Sequence, residues 1–427
     1  MNTKLMKTNT STFAVSAKRV ANQNLDDWLP NHAVIISENL IADVIPTKSL
    51  PYEGSNLKIY DLGEVSLLPG LIDAHCHMHC SATVDASHLA LTETNNQLIS
   101  RATNNMRKAV LAGTTTVRDL GSKNEVAFTV KQMIDLGHIP GPKLIVSGTP
   151  VTITAGHCWF FGTEADSEQD VIKAVRNQVK LGAQSIKMMA TGGMFTKTSN
   201  PRRPQYNTKI LKAAVTEAER MGVTIVAHTL SAEGITNCVE AGIHQLIHAR
   251  WLHHDYSKGL DYRPEVVDKM VAQGQWVDPT IGHHLLAIEH AKKNNTEEQS
   301  YHWTTSQVSI GTEDHLALLE KMSESGVQFT TGLDMGMNHA DHADSAASAW
   351  AFVEMLGWDN WKAIRAATTQ TASALGVEKE VGKIAKGMKA DLASFEGNPA
   401  NNIRDMHRAT SVFKDGKILK LENRVLV

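Results

Sequence analysis

Between residues 67 and 334 the chain alternates short, almost wholly apolar runs with longer segments whose apolar residues recur every three or four positions. The apolar runs are Leu67–His75, Thr114–Leu120, Lys143–Gly148, Ser185–Thr191, Thr224–Thr229, Gln245–Ala249, Trp276–Ile281 and Gln328–Asp334. They lack the alternation of a half-exposed strand, so they read as parallel strands buried on both faces. The segment Asp166–Leu181 sets Val171, Ala174, Val175, Gln178 and Val179 along one helical stripe, and Thr208–Met221 and Ala232–Ala241 behave likewise. Gly113, Gly182, Gly222, Gly242 and Gly326 stand just before the next strand, where a helix closes on a left-handed residue. Eight such alternations predict an α/β fold, a (β/α)8 TIM barrel.

The ends have a different pattern. Residues 12–66 and 382–427 hold short strand-like pieces separated by turn residues such as Asn398-Pro399 and Asp415-Gly416. Matching β character on both sides of a barrel predicts one composite β-sandwich domain from residues 1–66 plus 383–427, with the barrel spanning 67–382.

Composition narrows the function. A formal net charge of −3 gives no reason to expect nucleic acid or an anionic membrane as partner. No run of about 18 apolar residues predicts a membrane span. The N-terminus lacks the apolar core of a secretory signal. The four cysteines, Cys76, Cys80, Cys158 and Cys238, form no CxxC pair, so a reducing, cytoplasmic setting is expected. The expected partner is a small-molecule substrate.

Twenty histidines are many for this length, and several fall at predicted strand ends. Side chains at the C-terminal ends of barrel strands converge on one mouth. The first strand ends in His75-Cys76-His77, and alternate residues of a strand point the same way. Lys187 lies in the fourth strand, His228 and His248 end the fifth and sixth, and Asp334 ends the eighth. Each residue alone has an ordinary structural reading; together they predict a two-metal site. Lys187 sits in an apolar strand, where burial and nearby cations favour the neutral amine. A neutral amine can take up CO2 as an anionic carbamate that bridges two metals; a salt bridge inside the barrel is the alternative. His79, His88, His253, His254, His283 and His284 are expected to be structural, and His339 and His342 are candidates for the pocket wall. The irregular stretch Gly192–Tyr206 contains Arg202 and Arg203, expected on a solvated loop face, with contact to a substrate carboxylate as the alternative.

These residues resemble a known family. Pro69–His79 (PGLIDAHCHMH) resembles the Pro-Gly-Leu-Ile-Asp-x-His-x-His signature of the amidohydrolase superfamily. Thr114–Gly121, Ser185–Gly193, Thr224–Thr229, Leu246–Ala249, Gly332–Gly336 and Gly382–Pro399 resemble later blocks of its imidazolonepropionase-like and Xaa-Pro (prolidase-like) dipeptidase branch. The resemblance implies His75, His77 and Asp334 on one metal, His228 and His248 on the other, and Lys187 as the bridging carbamate. It implies two divalent ions, zinc foremost, with Asp334 as proton shuttle. It also implies substrate contacts for His157 and a carbonyl-polarising role for Tyr206, while Arg118 is structural. By analogy alone the protein is a possible homo-oligomer. The sixth block departs from the usual Ile-Glu-His-Gly: Ala249 and Arg250 follow His248 and are expected to reshape the pocket. The expected reaction is hydrolysis of an amide C–N bond, of peptide, N-acyl amino acid or aromatic amide type, by a hydroxide bridging the metals. The alternatives are a cyclic amide, carbamate, urea or phosphotriester hydrolase with the same centre, and a non-catalytic barrel used for binding or assembly.

Overall fold

The computed structural model describes residues 12–51, 57–295 and 312–427. The N-terminal strands are β1 (Thr12–Ala21), β2 (Trp28–Ser37), β3 (Leu40–Pro46), β4 (Lys58–Asp61) and β5 (Ser66–Pro69). The central part carries β6 (Leu71–Cys76), β7 (Thr114–Asp119), β8 (Lys143–Val146), β9 (Val151–Thr152), β10 (Thr163–Glu164) and β11 (Ser185–Met189). It continues with β12 (Thr224–Ser231), β13 (Gln245–Leu252), β14 (Trp276–Asp278) and β15 (Gln328–Phe329). The C-terminal strands are β16 (Leu392–Phe395), β17 (Ala409–Lys414), β18 (Lys417–Leu421) and β19 (Arg424–Val425).

The central strands form two parallel sheets, β6-β7-β8 and β10-β9-β11-β12-β13-β14-β15. Hydrogen bonds cross both gaps between them. Ala74 N donates to Thr331 O at 2.9 Å on one side, and Gln184 N donates to Val146 O at 2.9 Å on the other. Nearly every residue of β6, β7, β11 and β13 is buried, as their unbroken apolar runs predict. Helices between the strands cover the sheets. Glu168–Leu181 shows why they form where they do. The Ser167 side chain accepts from Asp170 N in a capping box, Val171, Ala174, Val175 and Gln178 are buried, and Gly182 closes the helix at φ +103°.

Both chain ends enter one nine-stranded mixed sheet in the order β19-β18-β17-β16-β5-β1-β2-β3, with β4 also on β1. The first predicted strand, Leu67–His75, is therefore two strands. β5 pairs with β1 and β16 in this sheet, whereas β6 pairs with β7 in the central one. Gly70 makes the passage: its N–H donates to Asp391 O at 2.9 Å, and a Cβ there would lie 2.1 Å from Thr115 Oγ1. The seventh and eighth predicted strands are also shorter than expected, ending at Asp278 and Phe329, because the chain then turns to meet the site.

Thr115 is buried and stiff at χ1, so it has little room to yield. Gly70→Ala should cost about 1–3 kcal/mol of stability through overpacking, read as a lowered urea midpoint at unchanged m-value.

Candidate metal centre

Six side chains from the central strands and the turns after them line one cavity of about 320 Å³: His75, His77, Lys187, His228, His248 and Asp334. His75 lies in β6 and His77 just beyond it, two residues apart on the same face. Lys187 pairs in register with Val226, and Met189 with His228. His248 reaches the cavity by a different route. Its neighbour Ile247 is the register partner of His228 and packs inside with Leu120 and Val226. Plain alternation would point His248 away. Left-handed φ values of +71° at His248 and +46° at Ala249 break the alternation and turn the ring in. Asp334 is likewise left-handed, at φ +62°.

Each imidazole is fixed by its far nitrogen. His77 Nδ1 lies 2.9 Å from Gly121 O, and His228 Nε2 lies 3.2 Å from Gly192 O. A carbonyl can only accept, so these nitrogens carry the protons. His75 Nδ1 donates to Asp278 Oδ2 at 3.0 Å. His248 Nδ1 lies 2.9 Å from Thr280 Oγ1, whose own proton goes to Pro279 O. The opposite ring nitrogens are left as bare lone pairs. Burial holds the His75, His228 and His248 rings well below the usual imidazole range, so they are neutral, the form that binds metals.

The lone pairs converge. Asp334 Oδ1 lies 3.2 Å from His75 Nε2 and 3.3 Å from His77 Nε2, and these three ligand atoms fall within 4.8 Å of one another. Electron pairs so placed repel unless a cation, proton or metal, sits among them. The His228 and His248 rings lie 4.7 Å apart, and the His75 and His248 rings 5.5 Å. Lys187 is 1% exposed, and its Nζ has no hydrogen-bond partner. Burial lowers its pKa to about 8. The salt bridge expected as the alternative for Lys187 is not formed among the described residues. The donor set thus fits a divalent metal centre.

A supporting layer was not anticipated from the sequence. Asp278, at the end of β14, orients His75 and accepts from Thr280 N at 2.9 Å. Its signal was present, an Asp inside the predicted seventh strand, Trp276–Ile281, the one late strand without an assigned residue. Gly332 lets this carboxylate approach, since a Cβ there would stand 2.2 Å from Asp278 Oδ2. Asp73 accepts from His75 N at 2.9 Å and Leu333 N at 3.1 Å, tying β6 to the segment that carries Asp334. His283, expected to be structural, lines the cavity and bonds Asn338 O.

Several expected roles do not fit. Tyr206 does not line the cavity: its buried hydroxyl donates to Ala165 O at 2.8 Å, so it is committed to the scaffold and not aimed at a substrate carbonyl. The His339 ring lies 4.3 Å from that of His290, tilted against it, and His342 packs behind His77; neither lines the cavity. Arg202 is buried, donating to His253 O and Gly259 O with its guanidinium over Tyr256, so it is neither solvated nor offered to substrate. Arg250 is buried against His315 Nδ1 at 2.8 Å, outside the cavity wall. Arg118 is structural as expected, bridging Ala74 O and Gln245. His157 does line the cavity, with its ring 4.5 Å from that of His228 and Nδ1 unpartnered.

Comparison with known proteins gives a consistent setting. The model of the amidohydrolase family matches residues 66–419. Ochratoxinase of Aspergillus niger is 28% identical over 431 residues, covering 92% of this chain and 83% of its own. Its crystal structure superposes with a TM-score of 0.81 at 25% identity, over 96% of each chain. A crystal structure of a Xaa-Pro dipeptidase with methionine in its active site gives a TM-score of 0.81 at 25% identity, over 96% of this chain and 100% of its own.

The Tyr206 geometry is testable. Tyr206→Phe should lower stability by about 1 kcal/mol, one buried hydrogen bond, read in thermal melts, while turnover of any substrate stays at the wild-type value.

Proposed function

The chain belongs to the amidohydrolase family, in the branch that holds Xaa-Pro dipeptidases and ochratoxinase, and from that premise we propose a metal-dependent enzyme that hydrolyses an amide C–N bond of a small molecule. The family comprises hydrolases of carbon–nitrogen bonds. One observation carries the metal dependence: four imidazoles, a carboxylate and a buried amine without a hydrogen-bond partner face one cavity.

His75, His77 and Asp334 would hold one ion, His228 and His248 a second, and Lys187, carboxylated by CO2, would link them. The imidazole and carboxylate donors suit zinc. Divalent ions bound there would supply Lewis acidity and a nucleophilic water at neutral pH. The remaining work belongs to the chain. Asp334 accepts a proton from the attacking water and delivers it to the leaving nitrogen. The water oxygen bonds to the carbonyl carbon as the C–N bond breaks, giving a carboxylic acid and an amine. His157, with a free ring nitrogen at the cavity wall, donates to the oxygen that gains charge. Asp278, Thr280 and Gly121 O hold the rings in the tautomers that leave lone pairs inward.

The architecture proposed with this function is a closed (β/α)8 barrel carrying the site, with a second β-domain from both termini and the passage between them at Gly70. The hydrogen bonds across both gaps between the parallel sheets support closure. No helix among the described residues is long and apolar enough to cross a membrane, and all four cysteines are free and buried. A reducing, cytoplasmic location accords with the latter.

Elemental analysis of purified protein should find about two divalent ions per chain. Chelation should abolish amide hydrolysis and added zinc restore it; an active metal-free protein would refute the proposal. Lys187→Ala should lose bound metal and turnover together. Asp278→Ala should weaken metal binding about 10–100-fold in a competitive chelator titration, with the circular dichroism spectrum unchanged.

A further inference from the structure

Outside the ligand set, three further imidazoles gather beside the cavity. They come from the helix Ile281–Asn294 and from the turn that follows Asp334. His283 and His290 are seven residues apart on the helix, so they share nearly one face and stand about 10 Å apart along its axis. At the inner end His283 lines the cavity, and its Nε2–H donates to Asn338 O at 2.6 Å. At the outer end His290 is exposed, and among the described residues no hydrogen bond ties its ring nitrogens. The ring of His339 packs against His290, with centroids 4.3 Å apart and 38° between the planes.

The turn is built to hold His339 in that place. His339 is left-handed at φ +69°, a conformation that costs a residue with a Cβ. Asn338 Nδ2 lies 2.9 Å from His339 Nε2. Turned over about its last bond, the same amide puts its oxygen there and accepts Nε2–H, so that Nδ1 keeps the lone pair. An imidazole with one nitrogen fixed by a neighbour and the other bare is how metal-binding histidines are oriented. Burial, with His290 and His283 nearby, holds His339 below the usual imidazole range, which favours the neutral ring. The neighbouring acids are engaged elsewhere, Glu289 with Arg404 and Asp341 with Lys108, so ion pairing does not account for the cluster.

We propose that His290 and His339 bind a further divalent transition-metal ion, exchangeable with solvent, beside the cavity that holds the metal centre. Paired imidazoles suit Zn2+, Ni2+ or Cu2+ and not Mg2+ or Ca2+, which take oxygen ligands. Two protein ligands leave the remaining positions to water, so the ion is held more loosely than one in the enclosed cluster. Asn338 both lines the cavity and fixes His339, which places the ion at the cavity's edge. A second histidine pair supplies a contrast. The His253 and His254 rings are also 4.3 Å apart, but they are adjacent in sequence and His253 Nδ1 is occupied, accepting from Asp255 N at 2.9 Å. That pair carries no ion in the proposal.

Zinc titrated calorimetrically into enzyme dialysed with its tightly held ions in place should reveal one further equivalent. His290→Ala and His339→Ala should each weaken that step at least about tenfold, the lower end of what loss of an orienting partner alone does. Both should leave the ion content after dialysis, and the melting temperature without added zinc, at the wild-type values. His254→Ala should leave the added step unchanged. In zinc-soaked crystals, anomalous diffraction should place the ion between the His290 and His339 rings. The comparison is between variants, so it holds even if elemental analysis finds no tightly held ions, a result that would sink the metal centre and not this site. No further equivalent, one that either His290→Ala or His339→Ala leaves intact, or one lost in His254→Ala would overturn the proposal.

Discussion

The placement of four protons on four imidazole rings governs the rest of the site. Gly121 O, Gly192 O, Asp278 and Thr280 each take the far nitrogen of one ring. That leaves the near nitrogens as lone pairs directed at a shared space. Asp334 adds a carboxylate to the same space, within 3.3 Å of two of them. Such a cluster is unfavourable without a positive charge at its centre. The protein therefore carries a built-in demand for cations, and burial sharpens it by keeping the His75, His228 and His248 rings neutral. Lys187 obeys the same constraint: an ammonium among cations would be repelled, and burial, which lowers its pKa to about 8, eases loss of the proton.

This demand has a cost in backbone geometry. His248, Ala249 and Asp334 adopt left-handed conformations, unusual for residues with a Cβ. They persist because the surrounding structure holds them. His248 is gripped by Thr280, itself left-handed at φ +51°, and the segment carrying Asp334 is tied to β6 through Asp73. Backbone strain, carboxylates that only orient other groups, and the close approach at Gly332 serve one end, a fixed set of donors. The cavity above is organised on a different principle. Its wall carries apolar side chains from several segments, Phe161, Phe195 and Leu230 among them, that hold no donor atom.

What the sequence determined by itself was the set of strands and the donors at their ends. Unbroken apolar runs located β6, β7, β11, β12 and β13, and the spacing of His75 and His77 required them to share a face. Helix Glu168–Leu181 was legible down to its glycine cap. These features are local: each depends on residues a few positions apart. The tertiary structure decided what local pattern cannot carry. Alternation alone would have turned His248 outward, and only the left-handed bend against Thr280 brings it in. The run Leu67–His75 looked like one strand because both halves are apolar, yet Gly70 sends them to different sheets. The resemblance made Tyr206 a substrate contact and the patternless loop put Arg202 on a solvated face, but each is buried and bonded to carbonyls more than forty positions away in sequence. Asp278 lay inside the predicted strand Trp276–Ile281, and its purpose became apparent only with the His75 ring beside it, 203 positions distant. A donor's identity is written in the sequence; the direction of its lone pair depends on which distant group takes the proton on its other side.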